Sequence, residues 1–148
     1  MNQKYRKGIF IVTYYLDNNN SPIYLIQKRK LHWSGYEFPK GGKNFLESNK
    51  HAVKRELFEE TGLKSIKIHN HNIFGKYKYN REFSDREGVI GQTYSLYSAQ
   101  VEKSRVKLDE KEHSSFQWLP FSRAHYKLTN QNQKDCLKMV NVWLKQRY

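Results

Sequence analysis

The sequence predicts a mixed α/β domain, on three observations: short apolar runs rich in β-branched and aromatic residues through the first half and middle, one helix whose two ends are both marked, and a closing amphipathic segment. With 148 residues, 37% of them apolar and 15% aromatic, the chain suits one core. Residues 1–148 are therefore read as one domain.

Residues 9–16 and 23–28 read as two strands joined by the Asn-rich turn at 17–22, which makes a hairpin the natural pairing. Lys4, Arg6 and Lys7 precede the first run much as a charged region precedes a secretion leader. That run is short, however, and Asp17, Asn18, Asn19 and Asn20 stand where small residues would be needed for cleavage, so it is read as a strand. Residues 34–42 form a turn-rich stretch. Ser48 can cap a helix over 49–61, and Gly62 supplies the residue that tolerates a left-handed end. Further strands are expected at 66–68, 73–79, 91–101 and 115–119, broken by charged loops at 80–88 and 102–113. After Pro120 the pattern changes, and Leu137, Val140, Val142 and Leu144 fit a closing helix at 131–147 only roughly.

Cys136 is the only cysteine, which excludes an internal disulfide, and no Cys and His spacing suits zinc. A reducing cytoplasm follows as the expected compartment, and no run approaches a membrane span, so no membrane partner is expected. The net charge of +13 would draw nucleotides or RNA by an attraction that salt weakens. The basic residues are scattered along the chain, however, and a solvated lysine-rich surface explains them equally well. DNA is not an expected partner.

Glu56, Glu59 and Glu60 crowd three like charges into little more than one helical turn. At about 100° per residue they span an arc of roughly 100°, so they can face one spot. Like charges at this spacing cost a bare helix roughly 0.2 to 0.5 kcal/mol per pair, and a cation would offset that. Oxygen ligands without histidine select a hard ion, magnesium before manganese or calcium. The alternative is a solvated acidic face with Lys50, Lys54 and Arg55 as surface partners. The approach favours a site: Phe38-Pro39-Lys40-Gly41-Gly42 is a tight loop whose glycines let backbone come close to a metal or phosphate.

Gly41, Glu47 and the run Arg55-Glu56-Leu57-Phe58-Glu59-Glu60-Thr61-Gly62-Leu63 match every fixed position of G-x5-E-x7-R-E-U-x-E-E-x-G-U, where U is apolar. Over residues 41–63 the chain thus resembles the Nudix hydrolases. The resemblance implies an α/β/α sandwich with a central mixed β-sheet and magnesium-dependent hydrolysis of a phosphoanhydride, manganese being a possible substitute. It implies divalent metal on Glu56, Glu59, Glu60 and the carbonyl oxygen of Lys40, with Gly41, Glu47, Arg55 and Gly62 shaping the loop and helix. It also implies a general base, either Glu59 or a carboxylate on a later loop that binds metal as well. Glu112 is the loop candidate, ahead of Glu110, because His113 beside it adds a polar contact.

The stretch Tyr36-Glu37-Phe38-Pro39-Lys40-Gly41-Gly42 resembles the approach loop of diadenosine tetraphosphate hydrolases and of the RNA decapping and RNA 5'-pyrophosphohydrolase branch, with Tyr36 in place of a Trp. Glu112-His113, Trp118 and Leu128-Thr129 look closer to the dinucleoside tetraphosphatases than to the branch that removes oxidised dGTP. Lys40, with Arg29 and Lys76, would neutralise a polyphosphate, and Trp33, Tyr77 or Tyr79 would stack on adenine for roughly 1 to 3 kcal/mol. Against each stands packing or plain surface placement, since the chain has eleven tyrosines. Lys40 and Tyr77 are the preferred substrate contacts, then Arg29 and Trp33. The expected substrate is a dinucleoside tetraphosphate. An RNA 5'-end hydrolase and a catalytically silent domain that binds nucleotide or RNA are the alternatives, the intact glutamates opposing the second. Oligomeric state, cleavage position and the number of metal ions stay open.

Overall fold

The computed structural model describes residues 4–81 and 83–148. Its elements run β1 (Lys4–Leu16), β2 (Pro22–Arg29), β3 (Gly35–Glu37), β4 (Lys40–Gly42), α1 (Asn49–Thr61), β5 (Ser65–Lys78), β6 (Val89–Val101), β7 (His113–Pro120), α2 (Phe121–Lys127) and α3 (Gln131–Arg147). The strands form one mixed sheet in the order β3-β2-β1-β6-β5, with β4 pairing β1 and β7 pairing β2.

β1 is the axis of this sheet. It pairs with β6 in parallel, Phe10 opposite Leu96, and with β2 antiparallel, Tyr14 opposite Tyr24, so the expected hairpin is present. Its run is apolar on both sides because both faces of the sheet are covered. Ile9 and Ile11 pack with Leu25 beneath Ala52, Val53 and Leu57 of α1. Phe10, Val12 and Tyr14 point the other way, into a cluster with Leu137, Val140 and Leu144 of α3. At roughly 1.5 to 3 kcal/mol per fully buried large side chain, these two clusters hold a helix on each face and make the sandwich.

α1 keeps both expected ends: the Ser48 hydroxyl accepts from His51 N at 3.1 Å, and Gly62, at φ 72°, donates its N–H to Phe58 O at 2.8 Å. Two expectations need correction. The stretch at 34–42 is not turn alone, since β3 and β4 pair with β2 and β1 and are stabilised by that pairing rather than by their own short apolar content. The separate strands expected at 66–68 and 73–79 are one strand, β5, whose register shifts between Asn70 and Phe74, where Asn72 takes φ 54°. α2 is an element for which no expectation was drawn: it has no side-chain cap and buries only Ala124, so it carries almost no local signal. Among the described residues no helix is long and apolar enough to cross a membrane.

Candidate active site: a carboxylate cavity beside an aromatic pocket

β4 brings the loop to the helix. Its pairing with β1 sets Gly41 opposite Ile9, directly over Glu56, where a Cβ on Gly41 would lie 2.1 Å from the Glu56 carboxyl carbon. Lys40 N donates to Glu60 Oε2 at 3.3 Å, tying loop to helix. Glu56, Glu59, Glu60 and Glu112 then line one cavity of about 130 Å³ together with Lys40 and Gly41. The three helix glutamates differ within it. Glu60 is 2% exposed, and its carboxyl is pushed well up, first by burial and then by the charges of Glu37, Glu112 and Glu56. Burial also raises Glu56, against the pull of Arg55. The side chain of Glu59 is half exposed.

Arg55 organises this end of the helix. It donates from Nε and Nη2 to the two oxygens of Glu47, at 2.7 and 2.9 Å, and from Nη2 to Gly42 O at 2.8 Å. Its Nη1 reaches Glu56 at 2.8 Å and Glu59 at 3.1 Å. Among the described residues no three acidic, histidine or cysteine side chains close on one point as a finished chelate. The glutamates share a cavity, and Arg55 holds one oxygen each of Glu56 and Glu59 inside it.

A buried ion cluster forms the wall beyond. Glu37, fully buried on β3, accepts from Arg29 Nη1 at 3.2 Å and from His113 Nε2 at 2.8 Å, and its second oxygen lies 3.7 Å from Lys40 Nζ. Burial alone would raise this carboxyl. The charge of Lys40, the His113 hydrogen bond and the charge of Arg29 together bring it down to about 2. Arg29 Nη1 also lies 3.9 Å from Glu112 Oε2.

Arg29, Lys40 and Arg86 line the carboxylate cavity and also a second, larger pocket of about 530 Å³ beside it. Trp33, Tyr77, Tyr79 and Phe83 give that pocket its aromatic surface, and Lys40 Nζ donates to the Tyr77 hydroxyl at 3.5 Å. The structure thus brings Lys40, Arg29, Trp33 and Tyr77 to the same cleft as the glutamates.

The NUDIX domain model matches residues 4–140 of the sequence. The chain belongs to the Nudix family. Its Nudix fold is shared with solved structures at low identity. An Ap4A hydrolase from C. elegans, in a binary complex, superposes with a TM-score of 0.75 at 17% identity, covering 95% of this chain and 98% of that one. The dihydroneopterin triphosphate pyrophosphohydrolase of E. coli gives 0.74 at 17%, covering 93% and 97%. The NUDIX domain of Shewanella oneidensis NrtR, complexed with ADP ribose, gives 0.74 at 14%, covering 97% and 90%. No curated protein matches the sequence.

Other candidates in the Nudix domain fall elsewhere. Lys76 lines neither cavity and places its ammonium 5.3 Å from the Tyr5 ring centre. Glu110 is exposed and outside both, whereas Glu112 is inside. Trp118 stacks on Tyr15 at 4.9 Å in the α1-side core, and the Thr129 hydroxyl accepts from Tyr36 N at 2.8 Å, so these two hold structure. Sequence reasoning passed over Glu37, Arg6, Arg86, Gln92 and Asp109. Glu37 had a signal, being the one carboxylate between Asp17 and Glu47 in a basic stretch.

The contact at Gly41 makes a prediction. A methyl group there displaces the far end of a flexible side chain rather than backbone, so Gly41→Ala is expected to move the Glu56 carboxylate and leave the fold. Turnover should fall about a hundredfold, as for a reacting group misplaced by an ångström, with Tm unchanged within a few degrees. A fall in Tm that tracks the loss of rate would contradict this reading.

Proposed function

We propose that this Nudix protein, acting as one domain in the cytoplasm, hydrolyses a phosphoanhydride bond of a nucleoside polyphosphate with magnesium, and that its preferred substrate is a dinucleoside tetraphosphate such as diadenosine tetraphosphate. One observation carries the proposal: the carboxylate cavity continues, along Arg29, Lys40 and Arg86, into a wide aromatic pocket. That pairing suits an anionic phosphate chain attached to a base. The C. elegans Ap4A hydrolase shares the fold and supports the choice of substrate.

The donor set fits a hard divalent ion. It is all oxygen, and Glu60 is a desolvated carboxylate crowded by others, whose charge the protein alone leaves poorly compensated. Glu56, Glu59, Glu60, Glu112 and the Lys40 carbonyl would hold the ion, with manganese as a substitute for magnesium. Bound there, it would supply charge neutralisation at the phosphate oxygens. The protein's own groups do the remainder. Glu112 or Glu59 takes the proton of the water that attacks phosphorus. The bond from phosphorus to the bridging oxygen breaks, and Arg29 and Lys40 face the charge that passes to the leaving phosphate. Tyr77 and Trp33 hold the base and so fix which phosphorus meets the water. Gly41, Glu47, Arg55 and Gly62 shape the loop and helix.

Product analysis over diadenosine tetraphosphate, nucleoside triphosphates, sugar nucleotides, diphosphoinositol phosphates, and capped and triphosphorylated RNA tests the proposal. Diadenosine tetraphosphate is expected to turn over fastest, with all activity lost in chelator and restored by magnesium. Faster release of phosphate from triphosphorylated RNA would instead favour an RNA 5'-end hydrolase, which the charge of +13 would suit. Nucleotide binding with no turnover of any substrate would leave a silent binding domain.

A further inference from the structure

The charges around the cleft are unequally matched. Arg55 is paired with Glu47, Glu56 and Glu59, and Arg29 and Lys40 are paired with Glu37. Arg6 and Arg86 line the same cavity, yet among the described residues neither has a carboxylate at ion-pair distance.

Both guanidiniums are nevertheless built into place. Arg6 comes from β1 and lies against β4, where a Cβ on Gly42 would stand 2.4 Å from its Nη2 and 2.9 Å from its Nε, so the glycine leaves the space that the side chain fills. Arg86 donates from Nη1 to the Tyr79 hydroxyl at 3.0 Å. That hydroxyl donates to Gln92 Oε1 at 3.2 Å, and Gln92, only 1% exposed, sits opposite Arg6 in the β1–β6 register. Burial and then the nearby charge of Arg86 lower the proton affinity of Arg6, against the weaker opposing pull of Tyr79, Glu56 and Glu112. Two like charges held this way call for a shared anion, and arginine meets phosphate oxygens two at a time.

We propose that Arg6 and Arg86 form a second phosphate subsite, which takes a phosphate further along the chain than the bond being broken and so selects substrates with three or more consecutive phosphates. This rests on the polyphosphate reading above and narrows it. On this proposal a diphosphate held by the glutamates with Arg29 and Lys40 does not satisfy Arg6 and Arg86, whereas a third phosphate on the chain does.

The test compares wild type, Arg6→Gln, Arg86→Gln and the double variant with a control, Lys64→Gln with Lys138→Gln, which removes the same charge from exposed positions outside the cavity. With magnesium, kcat/KM of the double variant on diadenosine tetraphosphate and a nucleoside triphosphate is expected to fall roughly tenfold to a hundredfold, mainly through KM, the scale of one or two lost charged hydrogen bonds. On a diphosphate-linked sugar nucleotide the change should stay within about threefold, less than the loss of a single such bond. Calorimetric binding of inorganic tripolyphosphate against pyrophosphate gives the same comparison without turnover: wild type prefers the longer chain, and the double variant does not. Equal loss on short and long chains, an undiminished preference in the double variant, or the same effect in the lysine control would overturn the subsite. If the double variant folds poorly, the single variants Arg6→Gln and Arg86→Gln carry the test, and an unchanged chain-length preference in both would be equally fatal. Absence of turnover by the wild type would sink the hydrolase reading alone, since tripolyphosphate binding still decides the role of the arginines.

Discussion

Glu60→Gln is expected to cut magnesium-dependent turnover by roughly a hundredfold to a thousandfold while the protein folds normally, the scale seen when one group that stabilises developing charge is removed. Glu60 is the most buried of the three helix glutamates, and it joins α1 to the loop through Lys40 N. Stability should move in the opposite direction from activity. Because the folded state raises the Glu60 carboxyl above its ordinary 4.5, folding favours the protonated form. The stability tied to it is present below pH 4.5 and is lost as pH rises through the raised value. Without metal, the glutamine variant should therefore gain on the wild type as pH rises. Added magnesium should raise the Tm of the wild type and leave the variant nearly unmoved. Full magnesium-dependent activity in the variant would remove Glu60 from the site.

Glu37→Gln should produce the largest loss of stability of any single change near the cleft. It leaves Arg29 and Lys40 buried around a neutral amide, and removing one partner of a buried pair typically costs about 3 to 5 kcal/mol. For a chain of this size that corresponds to a fall in Tm of roughly 10 °C. Here the linkage has the other sign. Folding holds Glu37 at about 2 against an ordinary 4.5, so its contribution is complete above pH 4.5 and disappears as pH falls through about 2. Thermal melts of both proteins between pH 2 and 7 check this: the two curves should converge in acid, and a constant gap across the range would mean that shape rather than charge is at stake.

What the sequence could disclose follows from how local each cause is. α1 was legible to the residue because its cap, its left-handed glycine and its box positions all lie within 41–63. β1 was legible over 9–16 because a run buried on both faces stays almost wholly apolar, whereas its charged start from Lys4 to Lys7 carried no strand signal. α2 was not, since seven residues that bury one alanine depend on contacts made from elsewhere. The same holds for the cleft. Its helix glutamates announce themselves by crowding, whereas Arg6 and Arg86 are two cations among 27 Lys and Arg residues, set in one cavity only when β1 and the segment after β5 are folded together. Glu37 lies within the loop motif without standing out there, because its role depends on Arg29 and His113, which reach it from β2 and β7.

Because β1 sends alternate side chains into two separate clusters, the glutamates hang from one slab of the protein while Asn130, Asn132 and their neighbours at the start of α3, on the opposite slab, border the aromatic pocket. Reactivity and choice of substrate can then drift apart over evolutionary time. Repacking the α3 slab reshapes what is recognised, and the ion-holding turn on the far slab is left undisturbed.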